Sequence, residues 1–147
     1  MVDHSLVAVD TNLLVYAHRR GAPEHAGAEQ ALHLLSKGKA RWGWALPVAA
    51  EFWRAVTHPA APGGPSAPAD AAGFLERLAA AGAECWLPLA GFPQRLATAA
   101  VRHSVIGNRI YDLQIGLMCQ EAGAVEIWTH DRSFAAPPGL KVIDPLR

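Results

Sequence analysis

Short apolar runs alternate along the chain with longer stretches whose apolar residues recur every three or four positions. Residues 6–9 (LVAV) predict a buried strand, and 11–19 a helix behind it. Pro23 suits the first turn of a second helix through residue 35, with Ala28, Ala31, Leu32 and Leu35 at helical spacing. Gly38 ends it. A strand is expected at 41–46 (RWGWAL), after which Pro47 opens a helix in PVAAEFWRAVTH. The stretch 59–68, PAAPGGPSAP, carries too much proline and glycine for regular structure and predicts a surface loop. Helices are expected at 70–81 and 92–103, with a strand at 84–87 between them. Gly107-Asn108 marks a turn and cap before the helix RIYDLQIGLMCQEAG, which Gly123 stops. Strands at 124–128 and 141–143 complete the series.

Strands separated by helices imply right-handed crossovers, so the chain should be an α/β fold with a mostly parallel central sheet covered on both faces. Ligands of such sheets bind outside the carboxyl ends of the strands. Asp10 and Asp131 both stand at such an end.

At 147 residues with 51% hydrophobic content, the chain should form one domain over 1–147 with a real core. Thirteen Lys+Arg balance thirteen Asp+Glu. That excludes a protein holding nucleic acid by bulk positive charge, though not chemistry in which metal ions neutralise phosphate locally. Cys85 and Cys119 both sit among apolar neighbours, so two buried free thiols are expected rather than a bridge. No basic segment leads into an apolar one at the N-terminus, and no apolar run reaches transmembrane length. The expectation is a soluble cytoplasmic protein.

Four carboxylates carry the chemical argument. Asp10 follows the first strand, and its bland explanation is a helix cap worth about 1 kcal/mol. Glu51 lies about 60° around its helix from Val48, at the border of the stripe expected to be buried. Its bland explanation is a pair with Arg54, worth a few tenths of a kcal/mol. Asp112 lies in the first turns of a helix apolar over most of its circumference, with Gly116 one turn on leaving room beside the carboxylate. A charge favourable to the helix N-terminus is the alternative. Asp131 could cap the turn at DRSF. If the sheet is parallel, all four gather at one rim. Two acids near 4 Å repel by about 1 kcal/mol in water and about 4 at an effective dielectric of 20. A counter-ion is needed, and oxygen-only ligands favour a hard divalent cation, Mg²⁺ or Mn²⁺.

The runs AVDTNLLVYA, PVAAEFWRAVTHP, GNRIYDLQIG and IWTHDRSF, in this order and register, resemble the PIN-domain ribonucleases. The likeness is to the VapC type, the toxin half of bacterial type II toxin–antitoxin pairs. The resemblance implies a PIN-like three-layer α/β/α fold with a sheet of four to five strands. It also implies an endoribonuclease whose metal-activated water, held by Asp10, Glu51, Asp112 and Asp131, hydrolyses phosphodiester bonds. Asn12 and Thr129 would orient those ligands. A VapB-type antitoxin, an RNA substrate and a homodimer are the implied partners, the antitoxin's C-terminal segment lying in or near the acidic cleft. Tyr111 and Leu113 are larger than the family pattern around Asp112 suggests, and His130 and the proline-rich loop are particular to this chain.

Outside the acids, Arg109 and Arg132 are candidates for clamping phosphate, their alternative being ion pairs within the protein. Trp42 and Trp44 share one face of a strand and suit core or interface better than base stacking. His130 is expected to face solvent. Two rival functions stay open. One is a metal-dependent phosphohydrolase using Asp10 as nucleophile, although the haloacid-dehalogenase pattern wants a second Asp where Asn12 stands. The other is a PIN-like module that binds RNA or a partner without cleaving it.

Overall fold

The computed structural model describes residues 5–147. In chain order these form β1 (Leu6–Val9), α1 (Thr11–His18), α2 (His25–Lys37), β2 (Arg41–Ala45), α3 (Leu46–Thr57), α4 (Pro68–Ala80), β3 (Ala83–Trp86), α5 (Phe92–Arg102), α6 (Arg109–Ala122), β4 (Ala124–Trp128) and β5 (Lys141–Ile143). The strands make one five-stranded sheet in the order β3-β2-β1-β4-β5, parallel between every neighbouring pair. All four residues of β1 are buried. Successive side chains point to opposite faces, so the centre of the sheet is covered on both sides. This is the expected α/β/α layering.

Fully buried Leu13 and Leu14 of α1, Val48 and Phe52 of α3 and Ile127 of β4 anchor the core. Each large side chain so buried contributes about 1.5–3 kcal/mol. Phe52 stacks on Phe74 of α4 with centroids 5.2 Å apart, and the ring of His18 meets both edge-on. Trp42 and Trp44 are buried and edge-on to each other at 6.2 Å. Between them, Gly43 lies so close to Glu84 of β3 that a Cβ would overlap its backbone.

Three local expectations shift. Pro23 falls before α2 rather than in its first turn, because two turns closed by Ala22 N–H to Arg19 O and His25 N–H to Ala22 O occupy that stretch. Pro68 opens α4 two residues early, at the position where its missing N–H has no helical partner to lose. Cys119 is buried, but Cys85 is exposed, since β3 is an edge strand with one flank uncovered. The proline-rich loop is irregular yet tied down. Arg19 donates to Val56 O at 2.7 Å and to Gly64 O, while His18 Nε2 and Ser66 Oγ lie 2.9 Å apart. Among the described residues no helix is long and apolar enough to cross a membrane.

Candidate active site

The strand order reverses direction at β1, with β2 on one side and β4 on the other, and the carboxyl ends of β1 and β4 meet there. Asp10 N–H donates to Trp128 O at 3.0 Å, locking the two ends together. Asp10 leaves β1 in extended conformation and caps α1, its Oδ1 accepting from Thr11 N–H at 2.8 Å. The cap explanation is therefore correct and incomplete. Oδ2 accepts from the Thr129 hydroxyl at 2.9 Å and from Asn12 Nδ2 at 3.3 Å. Thr129 Oγ1 in turn accepts from Asn12 Nδ2 at 2.9 Å and from Asp131 N–H at 3.1 Å. A hydroxyl has one proton to give, and here it goes to Asp10.

The other three acids come from separate elements. Glu51, midway along α3, accepts at Oε2 from the Thr11 hydroxyl at 2.6 Å. Arg54 makes no ion pair with it, so the intrahelical explanation fails. Asp112, in the first turn of α6, accepts from Ala135 N–H at 3.1 Å. Asp131 follows β4 and accepts from the Ser133 amide and hydroxyl at 2.9 and 2.7 Å. All four line one cleft of about 310 Å³, with Thr11, Asn12, Val15, Tyr16 and Ile115.

The carboxylates sense one another. Burial pushes Asp10 up to about 6, the Thr11 amide and Thr129 hydroxyl oppose it, and the charges of Glu51 and Asp112 add to the rise. Asp112 is also raised, first by burial and then by Asp131, against the Ala135 amide and the Arg109 charge. No Lys or Arg lines the cleft. As placed, no three acidic, His or Cys side chains among the described residues converge closely enough to clasp one ion. The donor set still fits a hard divalent cation. It is made of carboxylate oxygens, it includes a buried acid without a counter-charge, and Mg²⁺ commonly takes only one or two carboxylates and keeps several waters.

Three expectations need revision. Gly116 does not make room for Asp112; a Cβ there would overlap the Pro137 ring, so the glycine admits the β4–β5 connection instead. His130 does not face solvent freely: its side chain is 31% exposed, and Nδ1 lies 2.9 Å from the Asp144 carboxylate. Arg109 and Arg132 are exposed and form no ion pair among the described residues, which removes the bland explanation for both, yet neither lines the cleft. Thr11 and Tyr16 were not singled out by sequence. Thr11 adjoins Asp10 and could have been suspected; Tyr16, six residues on, gave no signal beyond its place one face along α1.

The chain is 29% identical over 138 residues to Ribonuclease VapC48 of Mycobacterium tuberculosis, the match covering 93% of this chain and 95% of that protein. Among solved structures it superposes on Mycobacterium tuberculosis VapC20, a sarcin-ricin loop cleaving toxin, with a TM-score of 0.64 at 15% identity, over 87% of this chain and 92% of that one. VapBC2 from Rickettsia felis, bound to a DNA fragment from their promoter, gives 0.64 at 20% identity over 94% and 97%. At such identities the likeness is one of fold. The PIN domain pattern matches residues 7–140, taking in every acid of the cleft, and the chain belongs to the PIN domain family.

Proposed function

We propose that this protein is a divalent-metal-dependent endoribonuclease, the VapC-type toxin of a toxin–antitoxin pair. The observation that carries the reading is the cleft itself: four carboxylates from four elements line it, and the most buried has no cationic partner. Its relatives' names, a ribonuclease and a toxin, agree in chemistry. Asp10, Glu51, Asp112 and Asp131 would hold Mg²⁺ or Mn²⁺. When bound, such an ion acidifies water and neutralises charge on the phosphodiester.

The chain's own groups do the positioning. Thr129 and Asn12 fix Oδ2 of Asp10, Thr11 fixes Glu51, and the Ala135 amide fixes Asp112, so each ligand enters with its rotamer set. Asn12 is committed to Asp10, Thr129 and the His130 amide, which argues against a second acid acting at that position in phosphoryl transfer. Arg109 and Arg132, unpaired near Asp112 and Asp131, would meet RNA phosphates. A VapB-type antitoxin would cover the cleft. Val101, Ile106 and Tyr111, exposed along the α5–α6 junction, support a homodimer.

Purified protein should cut single-stranded RNA internally in Mg²⁺ or Mn²⁺ and leave 5′-phosphate ends. Asp112→Asn should lower the rate at least about a hundredfold, since a ligand that holds the ion is worth several kcal/mol in the transition state. Undiminished cleavage by Asp112→Asn, or by wild type in excess chelator, would refute the assignment.

A further inference from the structure

Beyond β5, and beyond residue 140 where the family pattern ends, the chain returns to the site. The Asp144 carboxylate lies 2.9 and 3.1 Å from His130 Nδ1 and also accepts from Leu146 N–H at 3.0 Å. Arg147 Nε pairs with it at 3.1 Å. Leu146 packs against the core with its side chain over Gly27 of α2, so the segment is seated at both ends. A carboxylate only accepts, so Nδ1 of His130 carries the hydrogen and the ring is fixed in one tautomer and orientation.

His130 lies between Thr129 and Asp131. Its amide donates to Asn12 Oδ1 at 2.9 Å, and its ring stands edge-on to Tyr16 with centroids 6.1 Å apart at 74°. Tyr16 lines both the acidic cleft and an adjoining groove of about 680 Å³. Holding the His130 ring therefore places two things at once: the aromatic side chain shared by cleft and groove, and the turn that presents Asp131. Without Asp144 the ring is free to rotate, and the turn that presents Asp131 keeps only the Asn12 and Thr129 hydrogen bonds. The fold has no reason to collapse, but the cleft loses its geometry.

We propose that Asp144 is a positioning residue for the acidic cleft, acting through His130 on Tyr16 and Asp131. The proposal rests on the ribonuclease reading for its kinetic consequence and on the cleft alone for its metal consequence. The full chain is compared as wild type, Asp144→Ala and Asp144→Asn in two assays: steady-state cleavage of an RNA oligonucleotide in Mg²⁺, and the Mn²⁺ concentration giving half-maximal thermal stabilisation. Asp144→Ala should lower kcat about tenfold with KM within about twofold, and should raise the Mn²⁺ midpoint several-fold, as loss of an outer ligand partner does. Asp144→Asn should recover most of both, because its amide oxygen still accepts from His130. Should Asp144→Ala fail to fold, Leu146→Ala loosens the same segment and is read identically.

Wild-type kcat and midpoint in Asp144→Ala overturn the proposal, as does an Asp144→Asn as impaired as Asp144→Ala. Protein that cleaves no RNA while Asp144→Ala still shifts its Mn²⁺ midpoint keeps the proposal and sinks the ribonuclease reading. Wild-type protein that cleaves RNA but gains no stability from Mn²⁺ overturns the proposal.

Discussion

Asp10 is held by three neighbours and neutralised by none. Only 6% exposed, its carboxyl is pushed from 3.8 up to about 6 mainly by burial. A folded-state value above the unfolded one means that the folded protein binds the proton more tightly. The resulting stability is present below about 4 and is lost as pH rises through about 6. A shift of that size corresponds to roughly 3 kcal/mol at neutral pH. Metal-free Asp10→Asn should therefore melt higher than metal-free wild type at pH 7–8, with the difference vanishing near pH 4, while losing stabilisation by Mn²⁺. Equal melting curves at pH 8 would show that the buried charge is already compensated. Asp10 was legible only together with the other three acids, because a lone carboxylate at a strand end reads equally well as the helix cap it also is. The Thr11–Glu51 and His130–Asp144 pairs were not, because 40 and 14 residues separate their members and no local spacing specifies which hydroxyl meets which acid.

At the level of elements, turn and helix signals located α3 and α6 closely, since Pro at the first turn and Gly at the C-cap act through the backbone alone. Gly116 shows where such reasoning stops. Its place one turn after Asp112 suggested space for the carboxylate, whereas the space is taken by Pro137 from the β4–β5 connection. That connection also carries Ala135, whose amide holds Asp112, so one contact governs both packing and site. In Gly116→Ala the new methyl must displace the Pro137 ring. Overpacking of this kind costs about 1–3 kcal/mol. Chemical denaturation should show that loss, and RNA cleavage should fall more than the unfolded fraction explains, because the Ala135–Asp112 bond is dragged with the ring. A variant destabilised yet fully active per folded molecule would mean that the connection moves without the acid.

For the whole molecule, alternation of strand and helix sufficed to foresee a parallel, doubly covered sheet, and strand direction the gathering of four acids at one rim. The order β3-β2-β1-β4-β5 lay beyond it, because nothing local decides to which side of β1 each crossover travels. The reversal at β1 is nonetheless what joins Asp10 to Asp131. The charge balance, thirteen against thirteen, bears on how such a rim meets a polyanion. A metal-free acidic cleft would repel RNA, and a neutral protein supplies no compensating field, so on the ribonuclease reading affinity would come from the bound cation and from the unpaired arginines beside the cleft. Each phosphate contact to a single strand steepens the fall of log affinity with log salt by about 0.7. If Arg132 makes one, Arg132→Ala should raise KM at low salt, reduce the salt slope by about 0.7 and leave kcat and sequence preference unchanged. Arg109 should differ. Its charge also draws the Asp112 pKa down. In Arg109→Ala the loss of affinity should therefore be joined by a shift of the acidic limb of the kcat profile to higher pH, since Asp112 then ionises later. Salt titrations of KM and pH profiles of kcat on the two variants separate these effects; an unchanged salt slope in Arg132→Ala would remove that residue from the RNA path.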